Sequence, residues 1–131
     1  MELVLARLLL EHAPLAALVD DRIDWDQLPQ GVTGPAIVMH LISDIPGYHM
    51  AGPDGLIDAR VQFDCRGADA AQARAVHDAL DARLSGYRGV FHGVRFNGAF
   101  RLATRGRSDK DGASEIFTRS SDYRIWFGQA A

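Results

Sequence analysis

Cysteine is nearly absent. Cys65 is the only one in 131 residues, so no intrachain disulfide can form. A chain of this length needs none, because one domain of this size buries about two thirds of its unfolded surface. A lone thiol suits a reducing cytoplasm. A basic excess is also missing. The net charge is −3 and the isoelectric point is near 5.9, whereas proteins that grip nucleic acid usually carry a basic excess or stripe. The one local basic cluster, Arg101, Arg105, Arg107 and Lys110, is diluted by Asp109, Asp111 and Glu115. Sequence-specific DNA binding is therefore not expected. Long apolar runs are missing too. Glu2, Arg7, Glu11 and His12 interrupt the N-terminal "MELVLARLLLEHAPLAAL", which falls far short of a span of about 20 apolar residues. A signal peptide places positive charge first, and here Glu2 comes first. The expectation is a cytoplasmic chain with an amphipathic first helix.

Short catalytic and cofactor motifs are absent as well. The five histidines, at 12, 40, 49, 77 and 92, form no zinc-type pair. His40 reads as a hydrogen-bonded core histidine and His77 as a surface partner of Asp81 one helical turn on. Glycines 86, 89, 93 and 98 fit neither a dinucleotide fingerprint nor a P-loop, and no G-x-S-x-G elbow occurs. Ser120 and Ser121 have no evident base nearby. Cys65 alternates in phase with Ile57, Val61 and Phe63, which faces it into a core where a thiol is inert.

What is present is an ordinary globular balance, 47% hydrophobic and 24% charged. Apolar positions at 3, 4, 5, 8, 9 and 10 give a broad helical stripe. "PLAALV", 14–19, reads as a short second helix opened by Pro14. "AIVMHLI", 36–42, suits a strand buried on both sides. In "LIDARVQFDCRG", Ile57, Ala59, Val61, Phe63 and Cys65 alternate with Asp58, Arg60, Gln62, Asp64 and Arg66, so one face is buried and one wet. Ala68 to Leu84 follows as a helix capped by Asp69, with Ala73, Val76, Leu80 and Leu84 on one face. In "GVRFNGAFRLATR" the alternation puts Val94, Phe96, Phe100 and Leu102 together. Residues 106–114 are a polar hairpin tip, and 115–127 are the return strand. Tyr123, Ile125 and Phe127 keep its apolar phase, but Arg119 and Ser121 break it, so either a bulge intervenes near 119–122 or that stretch leaves the core. Trp126 falls on the outer face. The order α-α-β-β-α-β-β predicts a single α+β domain over 1–131, with a mostly antiparallel sheet of four to five strands.

"DDRIDWD", 20–26, holds Asp20, Asp21, Asp24 and Asp26. It lacks the glycine and terminal glutamate of a calcium loop. Its open readings are a solvated loop, a subunit contact around Trp25, or a metal site. The stretches 43–55 and 104–121 are long, polar-tipped extensions, read as a loop and a hairpin. Tyr48, His49 and Met50 stand in the first, and Arg105, Arg107, Asp109, Lys110 and Arg119 in the second. Long segments of this kind are either solvated or make partner contacts.

The ordered landmarks resemble one family. "LARLLLEHAPLAALVDDRI", with its Arg22-Ile23 pair, "LPQGVTGPAIV", "ARVQFDCRGADAAQARAVHDALDARL" and the closing "RSSDYRIWF" together look like the tail completion, or tail terminator, proteins of long-tailed phages, prophages and gene-transfer agents. The resemblance spans about residues 3–127, while Cys65 and the charged tip at 106–112 look like individual variation. It implies a non-enzymatic virion protein without cofactor or metal, assembled in the host cytoplasm. Such a protein forms a ring, typically a hexamer, on the last layer of the tail tube. It stops tube growth and meets the head connector, with DNA passing through the hole. An acidic lumen does not hold passing DNA. Trp25, Tyr48, His49, Met50, Arg105, Arg107, Asp109, Lys110, Arg119 and Trp126 are then candidates for subunit or partner contacts. Two other classes stay open from the residues alone: a monomeric α+β ligand-binding or regulatory module, and a small metal-dependent enzyme on Asp20, Asp21, Asp24 and Asp26.

Overall fold

The computed structural model describes residues 2–28, 34–50, 52–111 and 114–129; the side chains of 49, 53, 54, 107, 109–111, 114 and 115 lie outside the description. Three helices and six strands follow in the order α1 (Glu2–Leu10), α2 (Ala13–Val19), β1 (Ile23–Trp25), β2 (Ala36–His49), β3 (Gly52–Gly67), α3 (Ala70–Leu84), β4 (Gly89–Phe91), β5 (Val94–Asp111) and β6 (Ser114–Gln129). The strands form one sheet in the order β1-β2-β3-β6-β5-β4. β1 runs parallel to β2 and every other pair is antiparallel. The class is α+β, as expected, with two short strands more than the alternation revealed. β1 and β4 are three residues each, too short to show a period.

One hydrophobic core joins the helices to one sheet face. Leu5, Leu8 and Leu9 of α1, Leu15 and Val19 of α2, and Val76, Leu80 and Leu84 of α3 meet Ile37, Met39, Val61, Phe63, Tyr123 and Ile125. Burial of each such leucine stabilises the fold by about 1.5–3 kcal/mol relative to exposure. Asp69 caps α3 by accepting from the Gln72 backbone N–H at 2.7 Å, as its position predicted. Gly67 ends β3 directly beneath this helix. A Cβ built there would come within 2.6 Å of the Ala73 nitrogen, so the α3–β3 approach requires glycine.

Four expectations change. Residues 43–55 are not a loop, because β2 continues to His49 and β3 begins at Gly52. Its ladder with β3 takes register shifts at Leu41/Ser43 and Pro46/Tyr48. Pro46 and Pro53 are tolerated where the ladder lacks a neighbour on one side. The return strand β6 contains no bulge: it pairs continuously with β3 from Phe117 to Gly128. The shifts lie in β5, at Phe96/Gly98 and Arg101/Ala103. Each reverses the in–out phase. Phe96 and Ala99 are therefore buried, whereas Phe100 and Leu102 are about half exposed on the outer face. Finally, His77 is not a surface residue. It is buried against β6, and its Nε2 shares a hydrogen bond with the Ser121 hydroxyl. Ser121 interrupts the apolar phase because it serves this histidine. Among the described residues no helix is long and apolar enough to cross a membrane.

Candidate functional site

The sheet face away from the helices carries the wet side chains of β3 and β6. They are organised into ion pairs rather than left to solvent. Arg124 grips Asp58 with both nitrogens, its Nη2 at 2.6 Å and its Nε at 2.9 Å from carboxylate oxygens. That fork is the strong, two-point form of the pair, and it holds the Asp58 carboxyl below its ordinary range. Arg60 reaches Asp122 at 2.9 Å, and Arg105 reaches the same carboxylate at 3.4 Å while donating to Gln62 at 3.0 Å. Asp64 is almost fully buried and accepts from Ser120 at 2.6 Å and Gln62 at 2.9 Å, with His40 at 3.1 Å. His40 is thus hydrogen-bonded as expected, but on the outer face and only partly buried. Arg124 also lies over the Trp126 ring, which meets Phe100 edge-on at 5.5 Å between centroids. Around this charged centre stand exposed apolar side chains: Ile42, Ile45, Phe100 and Leu102.

The two sides of the sheet are open over long stretches. Among the described residues β1 pairs only with Ile37–Met39 of β2, so β2 beyond His40 is an edge. β4 pairs only with Val94–Phe96 of β5, so β5 beyond Asn97 is the opposite edge. Uncovered edges present unpaired backbone groups that invite another strand. Tyr48 and Met50 lie exposed at the end of the β2–β3 hairpin.

A third feature is a cleft of about 240 Å³ between the start of α3 and the β5–β6 hairpin, lined by Ala70, Ala73, Arg74, Gly106, Phe117 and Arg119, among others. It is open to solvent and shows no catalytic constellation among the described residues. Cys65 is fully buried, and burial pushes its thiol far up, leaving it inert. Burial also raises the Tyr123 hydroxyl, which donates to Asp81.

The candidates from sequence scatter over these features. Trp25 is half-buried and its Nε1 donates to the Glu2 carbonyl at 3.1 Å, tying β1 to the start of α1. Arg105 and Trp126 belong to the outer face, and Arg119 lines the cleft. The side chains of His49, Arg107, Asp109 and Lys110 lie outside the described residues. Asp20, Asp21, Asp24 and Asp26 converge on no metal position: among the described residues no group of three or more His, Cys, Asp or Glu gathers as ligands. Asp20 and Asp26 instead occupy positive-φ positions, at 56° and 68°, bracketing Arg22. That arginine bonds the Pro35 carbonyl at 2.7 Å and the Leu18 carbonyl at 3.3 Å. Sequence reasoning missed Arg60, Asp122 and Arg124 as a network and Arg74 as a cleft residue. The wet positions of β3 and β6 carried both signs of charge, but the ion pairs are diagonal: Arg60 faces Arg124 across the ladder, and each reaches a carboxylate two residues along the other strand.

Among solved structures, a chain described as "Virion of native gene transfer agent (GTA) particle" has a similar fold. Its TM-score is 0.59 at 20% identity, over 95% of each chain. Comparison with curated proteins found no match. The sequence profile described as "Tail completion protein gp17" matches residues 4–128. With nearly the whole chain inside that match, the protein belongs to the gp17 tail completion family and is a structural virion protein rather than an enzyme.

Proposed function

We propose that this protein assembles as a ring, of six copies, on the end of the tail tube. There it stops tube polymerisation and joins the tail to the head connector, while DNA passes through the hole. The observation that carries the reading is the pair of open sheet edges. A closed ring needs two different patches on each subunit, related by one rotation. The edge of β2 beyond His40 and the edge of β5 beyond Asn97 lie on opposite sides of a single sheet. Each carries exposed apolar side chains, Ile42 and Ile45 on one and Leu102 on the other. Strand addition across such edges supplies backbone hydrogen bonds for affinity and side chains for register. The Tyr48–Met50 end and the β5–β6 hairpin project beyond the core and are suited to contacts with the tube or the connector.

The test is genetic and visual. Particles made without this chain should show overlong tails or tails without heads in electron micrographs, and the wild-type chain supplied separately should restore joined particles. Tails of normal length, joined normally in its absence, would overturn the reading.

A further inference from the structure

Among the described residues, the cleft between α3 and the β5–β6 hairpin is lined by two cations and no anion. Arg74 is exposed on α3 and Arg119 is half-buried on β6. Among the described residues neither guanidinium has a hydrogen-bond or ion-pair partner. A guanidinium forks onto a carboxylate through two parallel hydrogen bonds, and this cleft has room for short acidic side chains. The complementary group sits on the same chain but out of reach. Asp20 and Asp21 are exposed beside β1, at the far side of the sheet, and have no cationic partner among the described residues.

Both groups also lie at one level. Ile23 pairs with Ile37, Ile37 with Cys65, Cys65 with Arg119, and Arg119 with Gly106. Ile23, which follows Asp20 and Asp21 in the chain, therefore stands at one end of a single row across the strands, and the cleft at the other. Both are on the helix-bearing side, at the end of α2 and the start of α3. A rotation about an axis along the strands keeps each residue at its own height. It can therefore bring one copy's row end onto its neighbour's.

We infer that the Arg74–Arg119 cleft receives Asp20 and Asp21 of the adjacent copy, and that this contact fixes which copy follows which around the ring. The inference rests on the ring proposed above. It gives "DDRIDWD" a partner of the same chain rather than a metal. The pairing is heterologous, since donor and acceptor patches differ, and like charges at the seam disfavour a copy docked the wrong way round.

The test uses the full chain in assembled tails. Asp21 and Arg74 are both exposed, so exchanging them leaves the core intact. Asp21→Arg alone and Arg74→Glu alone should each lower ring formation about tenfold. The chain carrying both should recover it, because each copy then offers a cation where its neighbour offers a carboxylate. Thermal melts check the fold; should a reversal unfold the chain, Asp21→Asn and Arg74→Gln carry the same comparison. Independently, a chain with Asp21→Cys and Arg74→Cys, treated with a short bismaleimide, should give a ladder of linked subunits up to the closed ring. Rings in micrographs without a ladder would overturn the seam and leave the proposed function standing. Singles that assemble like wild type, or a double that fails to recover, would do the same. Cleft arginines shielded by DNA rather than by a neighbouring copy would also reject it. If the parent chain forms no ring on tails, both readings fall.

Discussion

At the scale of single residues, three positions carry constraints that composition hides. Gly67 is one. Its Cβ would strike the backbone of α3 rather than a yielding side chain, so Gly67→Ala should cost about 1–3 kcal/mol, as overpacking does, measured by urea denaturation. His77 is another. Burial lowers its pKa from the ordinary 6.5 and outweighs the Asp78 carboxylate, which lies 3.5 Å from its Nδ1. The folded chain therefore holds it neutral, while the unfolded chain protonates it as pH falls through about 6.5. Its contribution is full above that pH and is lost as pH falls toward the folded value. The melting temperature should drop between neutral and mildly acidic pH, and His77→Gln should flatten that part of the profile. A profile unchanged by the substitution would reject the assignment. Cys65 is the third. It was legible in the sequence, because alternation alone put it among Val61 and Phe63, where it is found.

At the scale of elements, what was legible depended on period. The β3 alternation and the α3 stripe run over enough residues to identify themselves, and both stand where the pattern placed them. β5 did not yield to the same reasoning. Its two register shifts change parity twice, so Phe100 and Leu102, read on one face with Val94 and Phe96, point outward while Phe96 and Ala99 point in. Nothing local in "FNGAFRLAT" distinguishes a bulge from a straight strand, apart from Gly98. That residue leaves space for the Phe100 ring, since a Cβ there would come within 2.9 Å of it. The 43–55 segment was misread for a similar reason, because prolines and glycines that signal a loop also suit an unpaired edge. The candidate site was the least legible part. Asp58 and Arg124 are 66 residues apart in sequence, and only the register makes them a pair. Exchanging these two charges tests whether that pair organises the outer face. Asp58→Arg alone should weaken ring assembly through the face it disorders, and adding Arg124→Asp should recover part of it, read by light scattering on assembled material.

For the whole molecule, the expected seam is electrostatic as well as strand-paired. Screening shortens the reach of charge from about 10 Å at 0.1 M salt to about 3 Å at 1 M. Free rings should therefore loosen as salt rises, while the monomer's melting temperature changes little; sedimentation across a salt series reads the two separately. Salt-insensitive rings would assign the seam to the edges alone. The strand order carries one more consequence. β3 and β6 are the central pair, and the hairpins on either side meet only through them. β6 is also the last of the described elements to be made. During synthesis the β2–β3 hairpin with its helices must wait, half-covered, until β6 leaves the ribosome, and only then do the two halves of the sheet become one. A prematurely ended chain therefore lacks the middle of its sheet rather than a margin. It should be cleared by the cell's proteases before it can enter a ring and spoil a particle.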